Sequence, residues 1–163
     1  MSKTLNFTVE HQEHQQWCWA AVSVSVARFY EGSSNALTQC SIVNSQLPGN
    51  DCCAHGGILA CNKPGFLDKA LDTVKHFRGM ISGSLKSPCM IQEIDDGRPI
   101  GARIGFPTRG HFVAIVGYDN KDPEDVHLIV SDPTWGESTG PLQEFSSAYL
   151  GSGLWTDTYL TQR

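Results

Sequence analysis

No run in this 163-residue chain reaches the roughly 18 consecutive apolar residues that a membrane-spanning helix needs. The longest candidate, residues 17–30, is interrupted by Ser23, Ser25 and Arg28. Charge is sparse and leans acidic: 18% of residues are Asp, Glu, Lys or Arg, and 12 Lys plus Arg against 17 Asp plus Glu leave a net charge of −5. Cations are not clustered, so neither nucleic acid nor a membrane surface is an expected partner. The first residues lack the apolar stretch of about 7–15 residues that marks a Sec-type signal peptide. The expectation is therefore a cytoplasmic protein, or one exported by a specialised route without a cleavable signal. Repeats and low-complexity tracts are lacking too. What remains is ordinary globular composition, 40% hydrophobic, at a length that suits a single domain over residues 1–163.

The six cysteines are unevenly placed. Cys18 stands alone, Cys40, Cys52, Cys53 and Cys61 crowd together, and Cys89 is separate. The crowded four lack the Cys-x₂₋₄-Cys pairs of zinc sites, and adjacent cysteines chelate one tetrahedral ion poorly. Two disulfides are expected, with the pairing open, or plain buried thiols if the protein stays reduced. Cys89 is expected to be a buried thiol.

Residues 17–30 are apolar almost all round. Their middle, Val22-Ser-Val-Ser-Val26, alternates with period two and by itself favours a strand, but the length and the Ala20-Ala21 pair favour a buried helix. A helix is expected, one with no Ser, Thr, Asp or Asn to cap its start. Short helices are expected over 35–45 and 90–95. A better one is expected over 66–77, where Leu67, Leu71, Val74 and Phe77 fall at helical spacing. The second half changes character: residues 100–106, 111–118, 126–131 and 154–160 are short strand-like runs divided by turn residues. Helices first and strands afterwards imply an α+β fold with helices packed on an antiparallel sheet.

Cys18 sits in Gln12-Glu-His-Gln-Gln-Trp-Cys-Trp-Ala-Ala21, where a polar loop enters the expected helix. The positive end of a helix dipole favours a thiolate, the attacking form of cysteine. A buried structural thiol is the commoner fate of a free cysteine. His111 follows Gly110 at the mouth of a strand, where a general base would be rigidly held; a strand-end surface histidine is the plain alternative. Asp132 ends the next strand in Ser131-Asp-Pro-Thr-Trp-Gly136, where Asp-Pro can also be simple turn chemistry. If the two strands are neighbours, the carboxylate can orient the imidazole. Of the other histidines, His11 and His14 lie too close in sequence to Cys18 to be held independently, His127 lies within a strand, and His55 and His76 lack an evident orienting partner. A helix-start thiol followed by a strand-borne imidazole and carboxylate has the composition of a nucleophile, a base and an orienting group.

In this order and spacing the motifs resemble a papain-like cysteine protease, and are most similar to the compact bacterial branch that includes effector proteases of plant pathogens and bacteriocin-leader peptidases. The resemblance rests on Gln12, Trp17-Cys18-Trp19-Ala20-Ala21, the Cys52-Cys53 pair, Gly110-His111 and Asp132-Pro133, and runs from Val9 to Gly136. It implies Cys18 as nucleophile, His111 as base, Asp132 in the place of papain's usual asparagine, and Gln12 as oxyanion donor beside the Cys18 amide. Gln15 and Gln16 are alternative donors. It further implies that Trp135 packs over the His–Asp pair, that no metal or cofactor takes part, and that the substrate is a protein or peptide. A role as a bacterial effector or toxin follows from the same resemblance, with a target-cell protein or a cognate inhibitor as partner. Two rivals remain at this level: a peptidoglycan amidase or endopeptidase on the same scaffold, and a non-catalytic cysteine-rich binding module.

Overall fold

A helix buried along its first ten residues, Cys18 to Ala27, forms the centre of the molecule. The computed structural model describes residues 1–163. Its elements run β1 (Ser2–Thr4), α1 (Cys18–Glu31), α2 (Gln39–Gln46), α3 (Cys52–His55), α4 (Leu67–Thr73), β2 (Phe77–Ser82), α5 (Ser87–Asp95), β3 (Ile100–Gly105), β4 (Gly110–Asp119), β5 (His127–Asp132), β6 (Gly136–Pro141), α6 (Leu142–Ala148) and β7 (Leu154–Thr161). The helix is possible despite its alternating serines because each finds a partner. Ser23 Oγ donates to Ala20 O at 2.9 Å and Ser25 Oγ to Ala21 O at 2.6 Å, so two buried hydroxyls cost little.

All strand pairings are antiparallel, in the order β2-β7-β3-β4-β5-β6, with β1 beside the far end of β4. The helical half packs α1 against α4, α2 and β4. Their apolar faces join one core that includes Trp17, Trp19, Leu67, Leu71, Ile104 and Ile115, all buried. The expected α+β arrangement, helices on an antiparallel sheet, is what the chain adopts.

Several sequence-based expectations change. The helix expected over 66–77 stops at Thr73: Lys75 takes a left-handed φ of 68°, and Phe77 opens β2 on the sheet edge. Residues 136–141, all polar or Gly/Pro, form the opposite edge strand β6, and α6 follows at once. Cys89 is exposed, contrary to expectation, because α5 turns Met90 and Ile94 inward and leaves the neighbouring thiol on the outer face.

The cysteine-rich loop carries two disulfides, Cys40–Cys53 and Cys52–Cys61. They pin α3 to α2 and to the segment that follows it. Cys52 and Cys61 are buried, whereas Cys53 is exposed.

Candidate active site

Cys18 is the first residue of α1, and no side chain caps that end. The first-turn N–H groups, that of Cys18 among them, are therefore left for another acceptor. The segment around it is tied down by the loop behind the disulfides. The Gln16 amide donates to Asn62 Oδ1 at 2.9 Å, the Trp17 indole to Cys61 O at 2.9 Å, and the Trp19 indole to Lys63 O at 3.2 Å. Trp19 also lies flat against Gly65, where a Cβ would fall 2.2 Å from the ring, so only glycine fits there. Removing the Cys52–Cys61 bridge, as in C52A/C61A, should cost about 2–4 kcal/mol by the usual loop-closure effect. Because Cys61 O holds Trp17, any reaction at Cys18 should slow with it. Urea unfolding followed beside activity checks this, and C40A/C53A, which touches none of these contacts, should keep its activity.

The sheet supplies the other half. His111 is the second residue of β4, and Asp132 the last of β5, an adjacent strand. His111 and Asp132 are 4% and 1% exposed. His111 Nε2 donates to Asp132 Oδ1 at 2.9 Å, which leaves Nδ1 for another partner, and the Cys18 sulfur lies near enough to favour the protonated ring. Thiol, imidazole and carboxylate thus lie near one another although they come from widely separated parts of the sequence.

Asp132 is more fully held than its neighbours in sequence indicate. Oδ1 also accepts from the Thr134 amide at 2.7 Å and the Trp135 amide at 3.2 Å, and Oδ2 accepts from the Tyr149 hydroxyl at 2.8 Å. Burial would raise the Asp132 carboxyl, but His111, the Thr134 amide and Tyr149 hold it below the usual carboxylate range. Burial, with the Asp132 charge added, keeps the Tyr149 phenol protonated and donating. No motif links a tyrosine to a carboxylate 17 positions earlier, and Tyr149 is the site residue that sequence reading misses. Trp135 is a correction: it is 69% exposed, so most of its indole does not cover the His–Asp pair, and its contribution is its backbone amide.

Burial would also push His111 down, but the hydrogen bond to Asp132 and the nearby Cys18 sulfur outweigh it and raise it to about 9. The imidazole is therefore protonated at neutral pH, with sulfur on one side and a carboxylate on the other. An imidazolium that must protonate a leaving amine is present below about 9 and lost above it. A rate profile of kcat/KM should accordingly hold at neutral pH and fall as the pH rises through about 9. A fall already complete near the ordinary histidine value of about 6.5 would show that the ring is unpaired.

Gln12 joins the two halves by a different route. Its amide N–H donates to Pro133 O at 2.9 Å, and its side-chain Oε1 accepts from the Thr134 hydroxyl at 2.7 Å. Its side-chain nitrogen donates to His14 O at 3.1 Å and Gln15 O at 2.8 Å. The loop before the thiol is thereby clamped to the turn that follows Asp132. Of the remaining histidines, His14 packs edge-on against Trp17, and His127 pairs with Asp125 at the surface. His76 does have a partner, Glu31 at 2.7 Å, but at the other end of α1, about 20 Å from Cys18 at 1.5 Å per residue. A cleft of about 240 Å³ opens beside Cys18 and is walled by Trp19, Phe66, Phe112 and Tyr159.

Solved structures share this architecture. The peptidase domain of Streptococcus ComA, a bifunctional ABC transporter, is 16% identical, with a TM-score of 0.58 over 97% of this chain and 100% of that one. A double-glycine-motif protease from an AMS/PCAT transporter, solved with its leader peptide, is 15% identical, with a TM-score of 0.56 over 98% and 94%. Bromelain from Ananas comosus, solved with the inhibitor E64, is 14% identical, with a TM-score of 0.55 over 99% of each chain. Comparison with curated proteins returned no match. The fold is that of the papain-like cysteine proteases. The chain belongs to the Peptidase_C39 like family, which matches residues 4–154, and is a cysteine peptidase.

Proposed function

We propose that the protein is an endopeptidase that cleaves peptide bonds through a thioester on Cys18. The observation that carries this is the Cys18 sulfur beside a His111 ring that is hydrogen-bonded to Asp132, the three anchored on a buried helix and two adjacent strands. Sulfur, as thiolate, attacks the peptide carbonyl carbon, and the C=O pair moves onto oxygen. The Cys18 amide, left free at the uncapped helix start, and the Gln12 side chain are the proposed donors to that oxyanion. Gln12 would do so by releasing the longer of its two carbonyl contacts, at 3.1 Å. The proton on His111 Nδ1 passes to the leaving nitrogen as the C–N bond breaks. The now neutral imidazole takes a proton from water, the hydroxide displaces sulfur, and the acid product leaves with thiolate and imidazolium restored. Loss of one oxyanion donor typically costs about 10²–10³ in rate. Gln12→Ala should therefore lower kcat by that factor with little change in KM, as steady-state kinetics would read.

A peptide substrate is also what the leader-bound neighbour protease suggests by its likeness. The disulfide-bonded loop suits a protein that passes through an oxidising compartment, as a secreted effector or toxin does. The test is incubation with an unfolded protein and, separately, with purified peptidoglycan. New amino termini in the protein, absent with Cys18→Ala, are expected. Release of peptidoglycan fragments with the protein left intact would overturn the assignment of substrate.

A further inference from the structure

Arg103 lies in the cleft beside Cys18, and its surroundings are shaped for it. It is the central residue of β3 on a face otherwise occupied by Gly101 and Gly105. A Cβ on Gly110 would fall 2.7 Å from Nη2, and one on Gly105 would fall 3.5 Å from Nη1. The guanidinium thus rests against bare backbone one residue from His111, in space that side chains at these positions would take. Of its five N–H donors, one reaches Thr156 Oγ1 at 3.0 Å.

No carboxylate lies within 4.0 Å of it, although the chain carries more acids than bases. Three other arginines, Arg28, Arg78 and Arg98, each have an acidic partner. Asp157, the register partner of Arg103 on β7, is linked to it only through the Thr156 hydroxyl, which donates to the Asp157 carboxylate at 2.8 Å. Around the cation are aromatic walls: Phe112 and Tyr159 meet edge to face at 5.7 Å, with Phe66 and Trp19 completing the cleft. Burial, with the Asp157 and Asp68 charges added, pushes the Tyr159 phenol up to about 12, so it adds no negative charge at neutral pH.

A planar cation with free donors, held in a partly dry cleft without a directly bonded counter-charge, matches a carboxylate in a two-pronged hydrogen bond. We infer that Arg103 is a specificity-determining residue that selects substrates with an acidic side chain, Asp or Glu, within two residues of the bond cleaved. The distance limit follows from reach: the cleft borders the attacking sulfur, and an extended peptide advances about 3.3 Å per residue. The inference rests on the proposed peptidase action of Cys18.

The experiment is a cleavage profile of the full chain on a peptide library from a denatured proteome, read by mass spectrometry, with Cys18→Ala as blank. At one position within two residues of the cut, wild type should favour Glu over Gln and Asp over Asn by about ten-fold or more, the scale of a charge-assisted hydrogen bond. Arg103→Ala should bring that ratio close to one and leave preferences elsewhere unchanged. Arg103→Glu should favour Lys and Arg at the same position. Wild-type cleavage without an acidic preference overturns the inference alone, whether or not the variants fold, as does an acidic preference that survives in Arg103→Glu. Absence of any Cys18-dependent cleavage overturns the peptidase proposal, and this inference with it.

Discussion

Cys18→Ala and His111→Ala should each lower kcat/KM by roughly 10⁴–10⁶, and the double variant should lose no more than either alone. The two groups act as one unit: without sulfur the imidazolium has nothing to activate, and without the imidazole the leaving amine has no proton donor. Both side chains are buried, yet their removal is tolerable for different reasons. Cys18 is small and at a helix end, so alanine leaves little cavity and keeps the backbone contacts of its neighbours. His111→Ala removes a ring from beside Asp132, but that carboxylate keeps two backbone amides and the Tyr149 hydroxyl. Losses of activity should therefore appear without loss of the folded state, as circular dichroism and thermal melting would show. Losses that multiply in the double variant would mean that the two residues contribute independently.

The second large effect concerns Asp132, where alanine and asparagine should part company. Alanine strands the His111 ring nitrogen and the Tyr149 hydroxyl in a buried place and opens a gap, at a cost of about 3–5 kcal/mol. Asparagine keeps an oxygen where Oδ1 accepts from His111, Thr134 and Trp135. Its NH₂ group would face the Tyr149 hydroxyl, which can turn from donor to acceptor. Stability of Asp132→Asn should thus stay near that of wild type. What it loses is the negative charge behind the imidazole, one of the causes that raise His111 to about 9. The alkaline limb of kcat/KM should move down toward the ordinary histidine range in Asp132→Asn, while chemical denaturation separates only Asp132→Ala from wild type. An unmoved limb would show that Asp132 places the ring without affecting its proton.

Much of this site was legible because its chemistry is carried by strongly patterned segments. The thiol stands where a polar loop meets a long apolar run, and the histidine and aspartate punctuate two short β-branched runs that read as strands. Where neighbouring residues carry no such contrast, legibility ended. Strand β6 is polar throughout because both its faces see solvent at the sheet edge, so no alternation marks it. Phe77 continues the helical spacing of Leu67, Leu71 and Val74, and only the left-handed turn at Lys75 diverts it into β2. The disulfide partners, the Tyr149 hydroxyl and the exposure of Trp135 and Cys89 depend on how loops meet in space. Residue spacing holds no record of that.

Cys89 gives the central claim a built-in reference, since the protein has just two free thiols and this one is exposed. Alkylation by iodoacetamide, followed residue by residue by mass spectrometry as the pH is lowered from 8 to about 5, compares them in one sample. An ordinary thiol slows about ten-fold per unit in this range because only its thiolate reacts. If Cys18 rests as a thiolate against protonated His111, its labelling should stay nearly constant over the range while that of Cys89 falls away, and His111→Ala should remove the difference. Parallel decline of the two cysteines in the wild-type protein would contradict the ion pair on which the proposed chemistry depends.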